Sequence, residues 1–102
     1  MIKVSVFYPA GEGITFDIDY YCNTHMPMIP RLISACKKIE VDHGFMGGKP
    51  GSPPIYIAIG HIYFESMDQF AANFPPHEAT LMADIPNFTN ATPVFQFSEV
   101  KL

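Results

Sequence analysis

The chain has no tryptophan, two cysteines and only 16% charged residues over 102 positions. So little charge, beside 48% apolar residues, nine Phe and five Tyr, excludes a disordered or acidic-tail protein. Basic runs are missing too. Six Lys and Arg face ten Asp and Glu, a net charge of −4, and the longest basic run is Lys37-Lys38. A phosphate backbone would find no electrostatic footprint, so nucleic acid is not an expected partner. The longest uncharged stretch, Pro50 to Phe64, is interrupted by prolines, glycines and His61. It is too short and too broken to cross a bilayer, and no membrane partner is expected. The opening residues read as a strand carrying Lys3, without the basic region, apolar run and small-residue cleavage site of a leader. The cytoplasm is the expected compartment. Cys22 and Cys36 cannot form a secreted disulfide framework, and no C-x-x-C or Cys-His spacing marks a reactive or metal-bound thiol. The four histidines include no i,i+2 or i,i+4 pair, so no metal is expected. Gly47-Gly48-Lys49-Pro50-Gly51 lacks the Ser/Thr and spacing of a phosphate-binding loop, and no G-x-G-x-x-G occurs. The expected cofactor is none.

What the chain does have is alternation. Ile2, Val4, Val6 and Tyr8 share one face of a first strand, which Pro9 to Gly13 ends. Thr15 or Asp17 can cap a helix carrying Phe16, Tyr20 and Tyr21. Pro27 and Pro30 predict a kink or restart between His25 and Arg31, with Leu32, Ile33 and Cys36 on the continuation. Lys37 to Phe45 reads as a half-exposed strand and Ile55 to Phe64 as a strand apolar on both faces, with a glycine- and proline-rich loop between them. Ser66-Met67-Asp68-Gln69 has the pattern of a capping box and opens a helix through Phe70 and Phe74. A second segment starts at Pro75-Pro76 and runs to Asp84. Thr92 to Val100 is a last strand, with Phe95 and Phe97 on the face opposite Val94, Gln96 and Ser98.

The order β-α-β-β-α-β over a single domain, residues 1–102, predicts an α+β fold. It is the ferredoxin-like arrangement, a four-stranded antiparallel sheet with both helices on one face. A domain this small buries only about two-thirds of its unfolded surface. A second copy of the sheet is the simplest cover for the other face. A symmetric homodimer is therefore expected, with an apolar interface of about 2,000 Å² or more.

Several segments carry a resemblance. The opening M-I-K-V-S-V-F-Y-P, the stretch F-D-x-D-Y-Y-x-x-x-H-x-P from Phe16 to Pro27, and D-I-P-N-F-T-N from Asp84 to Asn90 leading into P-V-x-Q-x-S-E-V resemble the EthD (ethyl tert-butyl ether degradation) family. That family lies within the dimeric α-β barrel superfamily. The resemblance implies a ferredoxin-like homodimer with a small pocket between sheet and helices. It also implies relatives in ether degradation beside a haem monooxygenase system. The superfamily further includes polyketide cyclases, cofactor-free monooxygenases, dehydratases and muconolactone isomerase. The polar positions on the matching motifs are His25, Asp84, Asn87 and Thr89.

Two readings stand for most of the candidate residues. His25, one turn after Tyr21, is either a general acid-base at a helix break or a histidine that satisfies carbonyls freed by Pro27. Asp84 is either a catalytic carboxylate or the tie of the Pro86-Asn87 turn. His77 shares a helix face with Asp84 but lies two turns away, too far for a direct hydrogen bond. His61 in the apolar strand is either a pocket residue or a satisfied core histidine, and His43 reads as exposed. The expected catalytic residues are His25, Tyr21 and Asp84. The expected substrate-binding residues are Tyr8, Tyr20, His61, Tyr63, His77, Asn87 and Phe95. With the resemblance, these point to a small hydrophobic ligand that is carbonyl-bearing, phenolic or ether-derived. The expected chemistry is cofactor-independent acid-base or oxidoreductase-type, in degradation or secondary metabolism. The alternatives are a non-catalytic carrier that supports a partner monooxygenase, and a bare dimerisation module.

Overall fold

A computed structural model describes residues 1–102. Strands β1 (Ile2–Pro9), β2 (Lys38–His43), β3 (Tyr56–Phe64) and β4 (Val94–Glu99) form one antiparallel sheet in the order β2-β3-β1-β4. That order, with the helices on one face, is the ferredoxin-like α+β fold. The register sets out the helix-facing layer: Val4 lies between Ile62 and Phe97, and Val6 between Gly60 and Phe95. Since side chains alternate along a strand, Tyr8, Ala58 and Phe64 join this layer and are buried in the core. Burying each large apolar side chain stabilises the fold by about 1.5–3 kcal/mol.

The first helical region behaves differently from the expected break. Asp17 caps it by accepting the Tyr20 amide at 3.0 Å. A short helix α1 (Ile18–Tyr20) runs into a π-helical turn, Tyr21–His25, and then α2 (Met26–Leu32) without interruption. Pro27 offers no N–H to the Asn23 carbonyl, and its ring would strike that oxygen. The chain resolves the conflict by widening: the Met26 N–H donates to the Tyr21 carbonyl five residues back. Pro30 is then accommodated inside α2. The helix ends at Leu32 and Ile33 is extended, so Ile33 and Cys36 reach the core from the connection and not from the helix.

On the same face of the sheet are α3 (Met67–Asn73) and α4 (Pro75–Asp84), followed by a 3₁₀ turn, Ile85–Asn87. Ser66 Oγ accepts the Gln69 amide at 3.2 Å and caps α3. No helix is long and apolar enough to cross a membrane.

The sheet face away from the helices is more polar than its sequence implied. Phe7, Ile59 and Tyr56 lie at one end of it, with the Phe7 and Tyr56 rings 5.0 Å apart. Across the middle, His61 Nδ1 bonds Ser5 Oγ at 2.8 Å and Nε2 bonds Asp42 Oδ2 at 3.0 Å. The Tyr63 hydroxyl donates to Glu40.

Candidate active site

Gly60 makes room for what lies above it. A Cβ there would collide with the Tyr21 hydroxyl, so glycine lets the π-helical turn settle onto the sheet. Tyr21 meets Tyr8, Phe16 and Phe88 in a cluster whose ring centroids are 4.9–5.7 Å apart, mostly edge to face. The His25 ring is clamped in this cluster. It stacks on Tyr21 at 5.6 Å and 15°, and meets Phe88 at 4.7 Å.

His25 Nδ1 lies 2.8 Å from Asp84 Oδ2. Asp84 Oδ1 accepts the Tyr20 hydroxyl at 2.7 Å and the Asn87 amide at 2.9 Å. Burial pushes the Asp84 carboxyl up, but the hydrogen bonds from Tyr20, Asn87 and His25 outweigh it and hold the group below the usual carboxylate range. An ionised carboxylate only accepts, so Nδ1 must carry the ring proton. Burial holds the imidazole below 6.5 against the opposing pull of Asp84, which keeps it neutral at neutral pH. Nε2 is therefore the bare nitrogen. It has no hydrogen bond within the chain, and no sealed side-chain nitrogen or oxygen is left unpaired. Nε2 must then open onto a space.

His25 lines a cavity of about 240 Å³ between the sheet and the helices. Val6 and Ile62 floor it, Phe70 and Leu81 cover it, and Phe95 and Phe97 form the wall along edge strand β4. Phe95, Phe97 and Met82 are about half exposed, and mark the side that meets solvent. Tyr8 and Tyr21 also line it. Burial pushes the Tyr8 phenol up to about 12, offset a little by the Tyr21 hydroxyl beside it, and raises Tyr21 as well. Both hydroxyls keep their protons.

The structure thus brings Tyr8, Tyr21, His25 and Phe95 to one cavity, with Asp84, Tyr20 and Asn87 behind the histidine. It does not bring His61, Tyr63 or His77 there. His61 and Tyr63 point to the open sheet face because they alternate with the inward Gly60, Ile62 and Phe64. His77 sits half-exposed in the first turn of α4, and its side chain bonds nothing. No three His, Cys, Asp or Glu side chains gather in a metal-ligating arrangement. Sequence reasoning missed Glu78, Leu81, Met82 and Ile85, all cavity residues. Their i, i+3, i+4, i+7 spacing places them on one helical face.

A model of the EthD domain matches residues 15–92. The solved structure of an EthD-like protein from Ralstonia eutropha JMP134 is 43% identical, covers 99% of this chain and 92% of its own, and superposes with a TM-score of 0.92. An EthD family protein from Bacillus halodurans C-125 is 18% identical, with 99% of each chain covered and a TM-score of 0.72. A dimeric protein of unknown function and ferredoxin-like fold from Bacteroides fragilis NCTC 9343 is 17% identical, with 97% and 95% covered and a TM-score of 0.57. No curated protein matches the chain.

Proposed function

The chain belongs to the EthD family, and we propose that it binds a small apolar molecule in the cavity beside His25 and moves a proton on it. The carrying observation is the bare Nε2 of a neutral, aspartate-held imidazole on an apolar cavity. Such a nitrogen is a general base. It takes the acidic proton of an enolisable ketone or a phenol, leaving an enolate or phenolate, and the imidazolium so formed is stabilised by Asp84. The Tyr8 hydroxyl, kept protonated by burial and accepting from Tyr21, is a donor for the oxyanion. The proton then returns from Nε2 to the same atom or to another along the conjugated system. The cavity exceeds the roughly 150 Å³ that holds a benzene and suits one or two rings.

The test needs no knowledge of the natural substrate. In D₂O, the protein should accelerate exchange of the C1 protons of 2-tetralone, followed by proton NMR. His25→Ala should slow that exchange by about 10²–10⁴-fold. Exchange no faster than in buffer, or equal in wild type and variant, would remove the base and leave the carrier reading in its place.

The open sheet face, with half-buried Phe7 and Ile59 and exposed Val94, supports a second proposal, a sheet-to-sheet homodimer. Light scattering on the purified protein should give twice the chain mass of 11.4 kDa. A monomer at micromolar concentration would contradict it. We place the protein in the cytoplasm, where its two free thiols would stay reduced.

A further inference from the structure

Glu78 is the one acidic residue on the cavity. It lies on α4 in the same helical face as Leu81, Met82 and Ile85, yet it is exposed. Its carboxylate makes no ion pair, and no lysine or arginine lines the cavity. The polar inventory of the walls is therefore asymmetric. His25, Tyr8 and Tyr21 are buried in the cavity walls, and a lone negative charge stands toward solvent. Glu78 precedes Asp84 by six residues, which at 1.5 Å per residue places it about 9 Å along the helix from the carboxylate holding His25. The cavity of about 240 Å³ between Glu78 and His25 suits a molecule of one or two rings.

We propose that Glu78 sets specificity: it selects flat, uncharged two-ring molecules with a hydroxyl donor at the end remote from His25, and it turns away carboxylates and phosphates. The attraction is a hydrogen bond from the ligand hydroxyl to an ionised acceptor, stronger than its neutral counterpart. The rejection is twofold. An anionic group at the mouth meets a like charge, and one turned inward enters an apolar cavity with no cation to pair it. The inference rests on the cavity being a ligand site, and its test separates the two.

Wild type and Glu78→Gln would each be titrated with 2-naphthol, 2,6-dihydroxynaphthalene and 6-hydroxy-2-naphthoate, read by naphthol fluorescence. Wild type should hold the dihydroxy compound about fivefold tighter than 2-naphthol, and the naphthoate at least about tenfold weaker, in line with one charge-assisted hydrogen bond and one like-charge contact. In Glu78→Gln the gap between the two naphthols should close and the naphthoate should gain about tenfold. Glu78 is exposed, so the change should leave the fold intact, which circular dichroism would show. If the naphthols bind both proteins with an unchanged ranking, the role of Glu78 is overturned while the ligand site stands. If no naphthol binds wild type, the ligand site falls, and the role of Glu78 with it.

Discussion

His25 and His61 each sit within 3.0 Å of an aspartate, yet the two pairs are built for different ends. His61 spends both ring nitrogens inside the protein, one on Ser5 and one on Asp42, and the Asp42 side chain is 67% exposed. That pair is a latch across β1, β3 and β2. His25 spends only one nitrogen. Asp84 is 14% exposed and held by two further donors, and the second nitrogen has no partner in a ring that lines an apolar cavity. A histidine-carboxylate contact is thus not in itself a sign of chemistry. The sign is the nitrogen left without a partner where water is scarce and a ligand has room.

The contrast can be broken most sharply by changing the two aspartates alike. Asp84→Asn should lower 2-tetralone exchange by about 10²–10⁴-fold, because an amide in place of the carboxylate favours the wrong tautomer of His25. Asp42→Asn should leave exchange unchanged. Equal losses in the two variants would erase the distinction. The neighbours on β3 offer a second comparison, because Gly60 faces the helices and His61 the open face. Gly60→Ala forces Tyr21 off the sheet and should cost about 1–3 kcal/mol in urea unfolding, with exchange falling as the His25 ring is displaced. His61→Ala strands the buried Ser5 hydroxyl and should also cost about 1–3 kcal/mol, but with exchange intact.

The smallest effect expected is on pH dependence. The folded His25 binds its proton more weakly than the unfolded residue, so its linked stability is complete above 6.5 and is lost as pH falls through the lower folded value. The exchange rate should fall on the same acid side, with a midpoint below 6.5. His25→Ala should flatten that part of the stability profile. A midpoint above 6.5 would mean that Asp84 dominates over burial.

Much of the fold is legible because strands advertise their faces. Alternation placed Val4, Val6 and Tyr8 together and set Phe95 and Phe97 opposite Val94, as the register shows. Alternation does not say which face looks inward when both carry apolar residues, and the cavity expected to take His61 and Tyr63 lies on the other side of the sheet. The prolines signalled trouble in the first helix, but not that the helix would widen and continue. His25 and Asp84 were each legible as candidates. Their contact was not, because 59 residues separate them and only the packing of α4 beside the π-helical turn closes that gap. The helical spacing from Glu78 to Ile85 is in the sequence, but spacing alone does not separate a cavity wall from an ordinary core-facing stripe.

The proposed chemistry turns on one proton. Nitrogen-15 NMR of the histidine side chains at neutral pH reads which ring nitrogen carries it. His25 should show a neutral ring protonated on Nδ1, with Nε2 bare, and in Asp84→Asn a shift away from that tautomer. A His25 ring protonated on Nε2, or on both nitrogens, would contradict it and leave the cavity without its base.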